Sequence, residues 1–176
     1  PIVGSSNNGI DTTLVLKDSR FTLDITNDTI PMEVFIRPNA NNVHSGISDQ
    51  IFLLICPGEQ MNITGNFEQY QVTGSDFQQA YQAAHNLWEP MRNQLTAMTE
   101  QIIALQQEGL PFDSLRLAQY PIYQKMREMQ KQYIVDHPDT DVSLYILSQL
   151  NMEAIEELLP TFTEKVSKGT FAPLYK

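Results

Sequence analysis

The stretch "QYQVTGSDFQQAYQAA", residues 69–84, changes its period in the middle. Up to Val72 the apolar side chains alternate with polar ones, as a half-buried strand requires. After Ser75 they return at Phe77, Tyr81 and Ala84, every three or four residues, as a helix requires. The switch falls on Thr73-Gly74-Ser75. Ser75 is a good helix N-cap, and Gln78 three residues on completes the capping-box pattern. The corner therefore divides the chain into an antiparallel β domain, residues 1–74, and a helical domain, residues 75–176. The expected class is α+β, a small β-sandwich or partial barrel followed by helices.

Downstream of the corner, Phe77, Ala84, Met91, Met98 and Leu105 fall seven apart, with Tyr81, Trp88, Leu95 and Ile102 between them. That is a heptad seam. Pro90 lies inside it and predicts a kink or break near residues 86–90. "EGLPFDS" ends the seam, and a second helix is expected from about Ser114 to Val135. Its apolar side reads as Tyr123, Met126, Met129 and Tyr133, with Pro121 bending or resetting its start. Asp139 or Thr140 caps a third helix through "VSLYILSQL", Asn151 caps a fourth, and a fifth covers about Thr161 to Ser167. The seam is covered either by the second helix, as a hairpin turning at Gly109-Leu110-Pro111, or by another copy in a coiled coil. The turn favours the hairpin, and a monomer is expected.

Upstream, Thr12 to Lys17 and Arg20 to Ile25 read as a hairpin with Asp18-Ser19 at its turn. Met32 to Arg37 follows. The loop "PNANNVHSGISD" is polar and expected to be mobile. "IFLLIC", Ile51 to Cys56, is an apolar run suited to a central strand. Pro57-Gly58 turns the chain into "QMNITG", where Met61 and Ile63 share a face, and "QYQV" closes the set.

The 176 residues are 41% apolar and only 18% charged, with a net charge of -10. Eleven basic residues against twenty-one acidic ones give no phosphate-tracking surface, so nucleic acid is excluded as a partner. "KMREMQK", Lys125 to Lys131, reads as a solvated helix face. No apolar run is long enough to span a bilayer as a helix. Cys56 has no second cysteine to pair with and reads as a buried small hydrophobe. His44, His85 and His137 have no second ligand at metal spacing and read as surface residues. No nucleophile elbow, phosphate loop, dinucleotide fingerprint or zinc-protease motif is present. No catalytic, cofactor-binding or metal-binding residue is therefore assigned, and no cofactor is expected. "NDT" at Asn27 and "NIT" at Asn62 match the N-glycosylation pattern.

Taken in order, "IDTTLVLKDSRFTLD", "FLLICPGEQMNITGNFEQYQVTGSDFQQAY" and "DHPDTDVSLYIL" resemble three stretches of a known family. They are similar to the N-terminal region of the thioredoxin-like (TlpA/ResA-type) thiol–disulfide oxidoreductases of Bacteroides-group cell envelopes. The valine–glycine–serine corner before a helix is the most specific match. Ser19 stands where that family has a turn glycine, and Cys56 where it often has an acidic residue. The resemblance implies a non-catalytic accessory region that positions or docks a thioredoxin domain. That domain would begin after Lys176, and the first strands of the β domain would lie upstream of Pro1. It implies a periplasmic or envelope location, with a lipid anchor through a missing N-terminus. The partner would be the chain's own thioredoxin domain or another envelope protein. "DTT", "DTI" and "DSL", at Asp11, Asp28 and Asp113, resemble an O-glycosylation pattern of that group. A free-standing envelope domain that binds a ligand or protein is the alternative.

Overall fold

A computed structural model of the chain describes residues 2–5, 11–13, 15, 17–18, 20–24, 31–37, 50–67 and 69–175. The loop 38–49 with His44, the triplet 27–29, and Leu14, Leu16, Ser19 and Ile25 lie outside the described residues. The protein is mixed α/β, with antiparallel strands first and helices after, in two compact units, Pro1–Gln79 and Ala80–Lys176.

The first unit contains strands β1 (Ile2–Ser5), β2 (Asp11–Thr13), β3 (Met32–Arg37), β4 (Ile51–Ile55), β5 (Asn62–Gly65) and β6 (Tyr70–Thr73). The first four form one antiparallel sheet in the order β2-β1-β3-β4, and β5 and β6 form a separate antiparallel pair. These strands close no barrel. β3 alternates as its sequence demands: Met32, Val34 and Ile36 are buried, and Glu33 and Phe35 partly so. These three, with Ile51 and Leu53 of β4, make the core. Phe21, Leu23, Met61, Ile63, Tyr70 and Val72 pack against it.

One strand was not foreseen, and two expectations are refined. Ile2–Ser5 is a strand although "IVGS" carries no readable pattern; it lies between β2 and β3. Of the hairpin expected around Asp18-Ser19, the described residues show one antiparallel bridge, Lys17 with Arg20, whose backbone bonds are 2.9 and 3.0 Å. Asp18 supplies the positive φ of 52° that a tight hairpin turn needs. β4, expected at the centre, is the edge of its sheet among the described residues. Its apolar run reflects burial on both faces, Leu53 on one and Leu54 on the other, rather than two strand neighbours.

At the corner, Gly74 has φ +90°, and a Cβ there would meet the carbonyl oxygen of Gln60 at 2.1 Å. Only glycine fits. Ser75 Oγ accepts from the Gln78 amide at 2.9 Å, so the N-cap forms. The reciprocal half of the capping box does not, because the Gln78 side chain goes to β4 instead.

Helices α1 (Asp76–Asn86), α2 (Glu89–Gln107), α3 (Asp113–Asp136), α4 (Asp141–Ser148), α5 (Met152–Leu158) and α6 (Glu164–Ser167) follow. The seam does break, at Leu87-Trp88. Pro90 then sits in the first turn of α2, where its missing N–H removes no helical bond. α2 ends where Gly109, at φ +68°, lets Leu110 N–H reach Leu105 O and Gly109 N–H reach Gln106 O. α3 runs unbroken through Pro121, so the proline does not reset the start of the helix. The proline is exposed, so water can satisfy the carbonyl it leaves unpaired.

α2 and α3 pack as a hairpin. Gln119 Nε2 donates to Thr99 Oγ1 at 3.0 Å and to Leu95 O at 3.4 Å. The buried positions of α3 are Gln119, Gln130 and Ile134; Met126, Met129 and Tyr133 are half-buried and Tyr123 is exposed. Thr140 caps α4 through Ser143 N–H at 3.2 Å, and Asn151 caps α5 through Ala154 N–H at 3.3 Å. α4 is the centre of this unit, buried from Val142 through Leu147. The fifth helix expected from Thr161 shortens to Glu164–Ser167, preceded by a single 3-10 turn at Leu159–Thr161, because Phe162 and Thr163 are extended.

Candidate functional site

The densest grouping of side chains able to do chemistry lies in the second unit, around His85. In the sequence, Tyr81, His85 and Trp88 are spaced four and three apart, which puts their rings on one helical face. Tyr81 meets Tyr145 edge-on at 5.3 Å, and Tyr145 meets Phe171 at 5.9 Å. In the other direction His85 contacts Tyr81 at 5.5 Å and Trp88 at 6.0 Å; Trp88 meets Tyr133 at 6.1 Å, and Tyr133 stacks on His137 at 4.3 Å. Seven rings from α1, the α1–α2 joint, α3, α4 and the C-terminal segment form one continuous path.

His85 was read from sequence as a surface residue. The structure wedges it between Tyr81 and Trp88, and Arg92 Nη1 lies 2.6 Å from its Nε2 and 3.0 Å from its Nδ1. Burial first, and the Arg92 guanidinium second, push its pKa down from 6.5 to about 4. The ring is neutral at pH 7 and accepts from Arg92. Burial also raises the Tyr133 hydroxyl above its usual range. Both groups thus hold the protonation state they would have in water at pH 7, and the rings form a packed joint. The spacing of Tyr81, His85 and Trp88 was the signal that could have located it.

This geometry has a pH consequence. Unfolded His85 takes up a proton near pH 6.5, whereas the folded ring stays neutral until about pH 4. Stability is therefore lost as pH falls from 6.5 to 4 and levels off below. Because the ring is partly exposed, the loss should be about 1–2 kcal/mol rather than the full value of the shift. Urea unfolding of the protein and of His85→Gln at pH 7 and pH 4.5 measures it. The acid-induced loss should be smaller in the variant; an equal loss would mean His85 does not carry it.

His137 closes α3, exposed, with Nδ1 2.9 Å from Tyr133 O. Among the described residues no three His, Cys, Asp or Glu side chains gather as a metal site. Cys56 follows β4, buried, with its N–H 3.4 Å from Glu59 Oε2. Burial alone predicts slow chemistry: a chromogenic disulfide should label Cys56 in the native protein at least about tenfold more slowly than in urea. Equal rates would show an accessible thiol. Beside the Lys17–Arg20 bridge, an open hollow is lined by Val15, Lys17, Asp18, Arg20, Phe21 and Thr22. Asn62 and Thr12, from the glycosylation-like triplets, are exposed on β5 and β2, and Ser114 is exposed in the first turn of α3.

Among the described residues no helix is long and apolar enough to cross a membrane. No family model matches the chain, and neither does any curated protein or solved structure.

Proposed function

We propose that this chain is the non-catalytic accessory region of an envelope thiol–disulfide oxidoreductase, which positions or docks a thioredoxin-like domain following Lys176. The observation that carries the reading is the corner at Gly74-Ser75. There an antiparallel β unit ends, and every regular element after it is a helix. Gly74 and Ser75, with Val72, carry the most specific part of the resemblance to the TlpA/ResA-type family. The β unit, on this reading, is a small sandwich in which Ile63, Tyr70 and Val72 cover the face of β3 and β4. The helical unit is the spacer, made stiff by the α2–α3 hairpin and by the ring path that ties α1, α3, α4 and the C-terminal segment together. The single thiol, Cys56, is buried, so disulfide exchange falls to a cysteine pair outside these residues. The periplasmic or envelope location rests on the same resemblance.

Reading the coding sequence beyond codon 176 tests this directly. A thioredoxin domain with a Cys-x-x-Cys motif soon after Lys176 is the expected result. A stop codon there would replace the proposal with a free-standing binding domain.

A further inference from the structure

On α3 two of the three buried positions hold glutamines, Gln119 and Gln130, each 8% exposed, beside Ile134, while Leu117 and Tyr120 are 74% and 65% exposed. Leu117 and Tyr120 belong to a stripe, Asp113, Leu117, Tyr120, Gln124 and Arg127, spaced alternately four and three apart and so aligned along one side of the helix. Exposed Ile103 and Leu110, near the turn between α2 and α3, and Tyr123 enlarge the apolar area at this end of the hairpin. Single exposed hydrophobics need no explanation, but a group of five on one end of a hairpin does.

The stripe also carries its own complement. Tyr120 is its midpoint: Asp113 lies seven residues before it and Arg127 seven after. Both charged side chains are exposed and make no ion pair among the described residues. Two copies of α3 laid antiparallel about a two-fold axis at Tyr120 would bring Asp113 of each against Arg127 of the other. Leu117 of each would lie beside Gln124 of the other, on the same side of the seam, and the two Tyr120 rings would meet at the axis. A surface that is self-complementary in charge under one two-fold rotation, with an exposed aromatic ring at the axis, is what an isologous dimer requires. We propose that the outward stripe of α3, centred on Tyr120, is an antiparallel homodimer surface held by reciprocal Asp113–Arg127 pairs.

This surface is separate from the heptad seam, which α3 covers from within the chain. The sequence-based expectation of a monomer considered the seam alone. The proposal does not depend on the assignment to an oxidoreductase. Two chains of net charge -10 repel, so association is weak and concentration-dependent at physiological salt.

Sedimentation velocity over a concentration series tests it, with circular dichroism to confirm that each variant keeps its helices. The weight-average mass should rise from 20.0 kDa toward twice that value. Tyr120→Asp should abolish the rise, and Asp113→Arg should raise the dissociation constant about tenfold. The double exchange Asp113→Arg with Arg127→Asp should restore it to within about threefold of the parent. A chain that stays monomeric at high micromolar concentration overturns the proposal. So does a dimer indifferent to Tyr120→Asp, or one that the double exchange fails to restore.

Discussion

Trp88→Ala should destabilise the helical unit by about 3–5 kcal/mol, whereas Leu87→Ala beside it should change stability by no more than about 0.5 kcal/mol. Trp88 is 2% exposed and its ring sits between His85 and Tyr133, at 6.0 and 6.1 Å. Leu87 is 54% exposed. Both residues occupy the short break between α1 and α2, so they share backbone circumstances and differ in what their side chains fill. Removing the indole leaves a cavity bounded by side chains of α1 and α3, elements distant in the chain that cannot simply collapse into it. Because Trp88 is the sole tryptophan, the comparison should be followed by far-ultraviolet circular dichroism during urea unfolding. If the two variants lose equal stability, the break is held by its backbone and not by the ring path. A broadened transition in Trp88→Ala alone would mean that the joint is also what makes the helical unit unfold as one.

The joint was the more legible part of the fold. A seven-residue repeat interrupted by Pro90 admits few solutions, and the chain adopts the cheapest: α1 ends, and the proline opens α2. The strand-to-helix switch at Gly74-Ser75 was legible for a similar reason, since a change of period from two to seven cannot be accommodated by one element. What stayed hidden depends on neighbours that a local pattern does not name. "IFLLI" announces burial on two faces and is silent on how many strands flank it, so β4 was placed at the centre of its sheet. "IVGS" is too short to show alternation, yet it is the strand that joins β2 to β3. Gln119 looks like a solvent position until Thr99 and the Leu95 carbonyl come to meet it across the hairpin. His85 looked equally exposed, although the four-and-three spacing of Tyr81, His85 and Trp88 already placed three rings on one face. "VSLYILS" is apolar almost all round, which identifies a buried helix but not that it would be the centre of its unit.

Gln78→Ala should cost the β unit about 2–4 kcal/mol, more than the ~1 kcal/mol expected for removing the helix cap with Ser75→Ala. The side chain is 2% exposed, and its amide does the work of a missing strand. Oε1 accepts from Leu54 N–H at 2.9 Å, and Nε2 donates to Phe52 O at 3.4 Å. A carbonyl at residue i and an amide at i+2 are the pair that one residue of a parallel neighbour would engage. Alanine removes the acceptor of the Leu54 N–H and the Gln78 donor to Phe52 O at a site with little room for water, and the loss is penalised by desolvation. Glutamate should not rescue the loss: its carboxylate can accept from Leu54 but cannot donate to Phe52, and it brings a buried charge. A second effect separates this position from an ordinary buried contact. Among the described residues β4 is an edge strand, with the sequence "IFLLI", uncharged and free of proline and glycine, the composition that recruits further strands when its edge is open. Gln78 occupies the middle of that edge. Gln78→Ala should therefore aggregate into thioflavin-positive material faster than Ser75→Ala, even when temperature or urea is adjusted so that equal fractions of both are unfolded. If the two aggregate alike once matched in this way, Gln78 contributes stability but does not guard the edge.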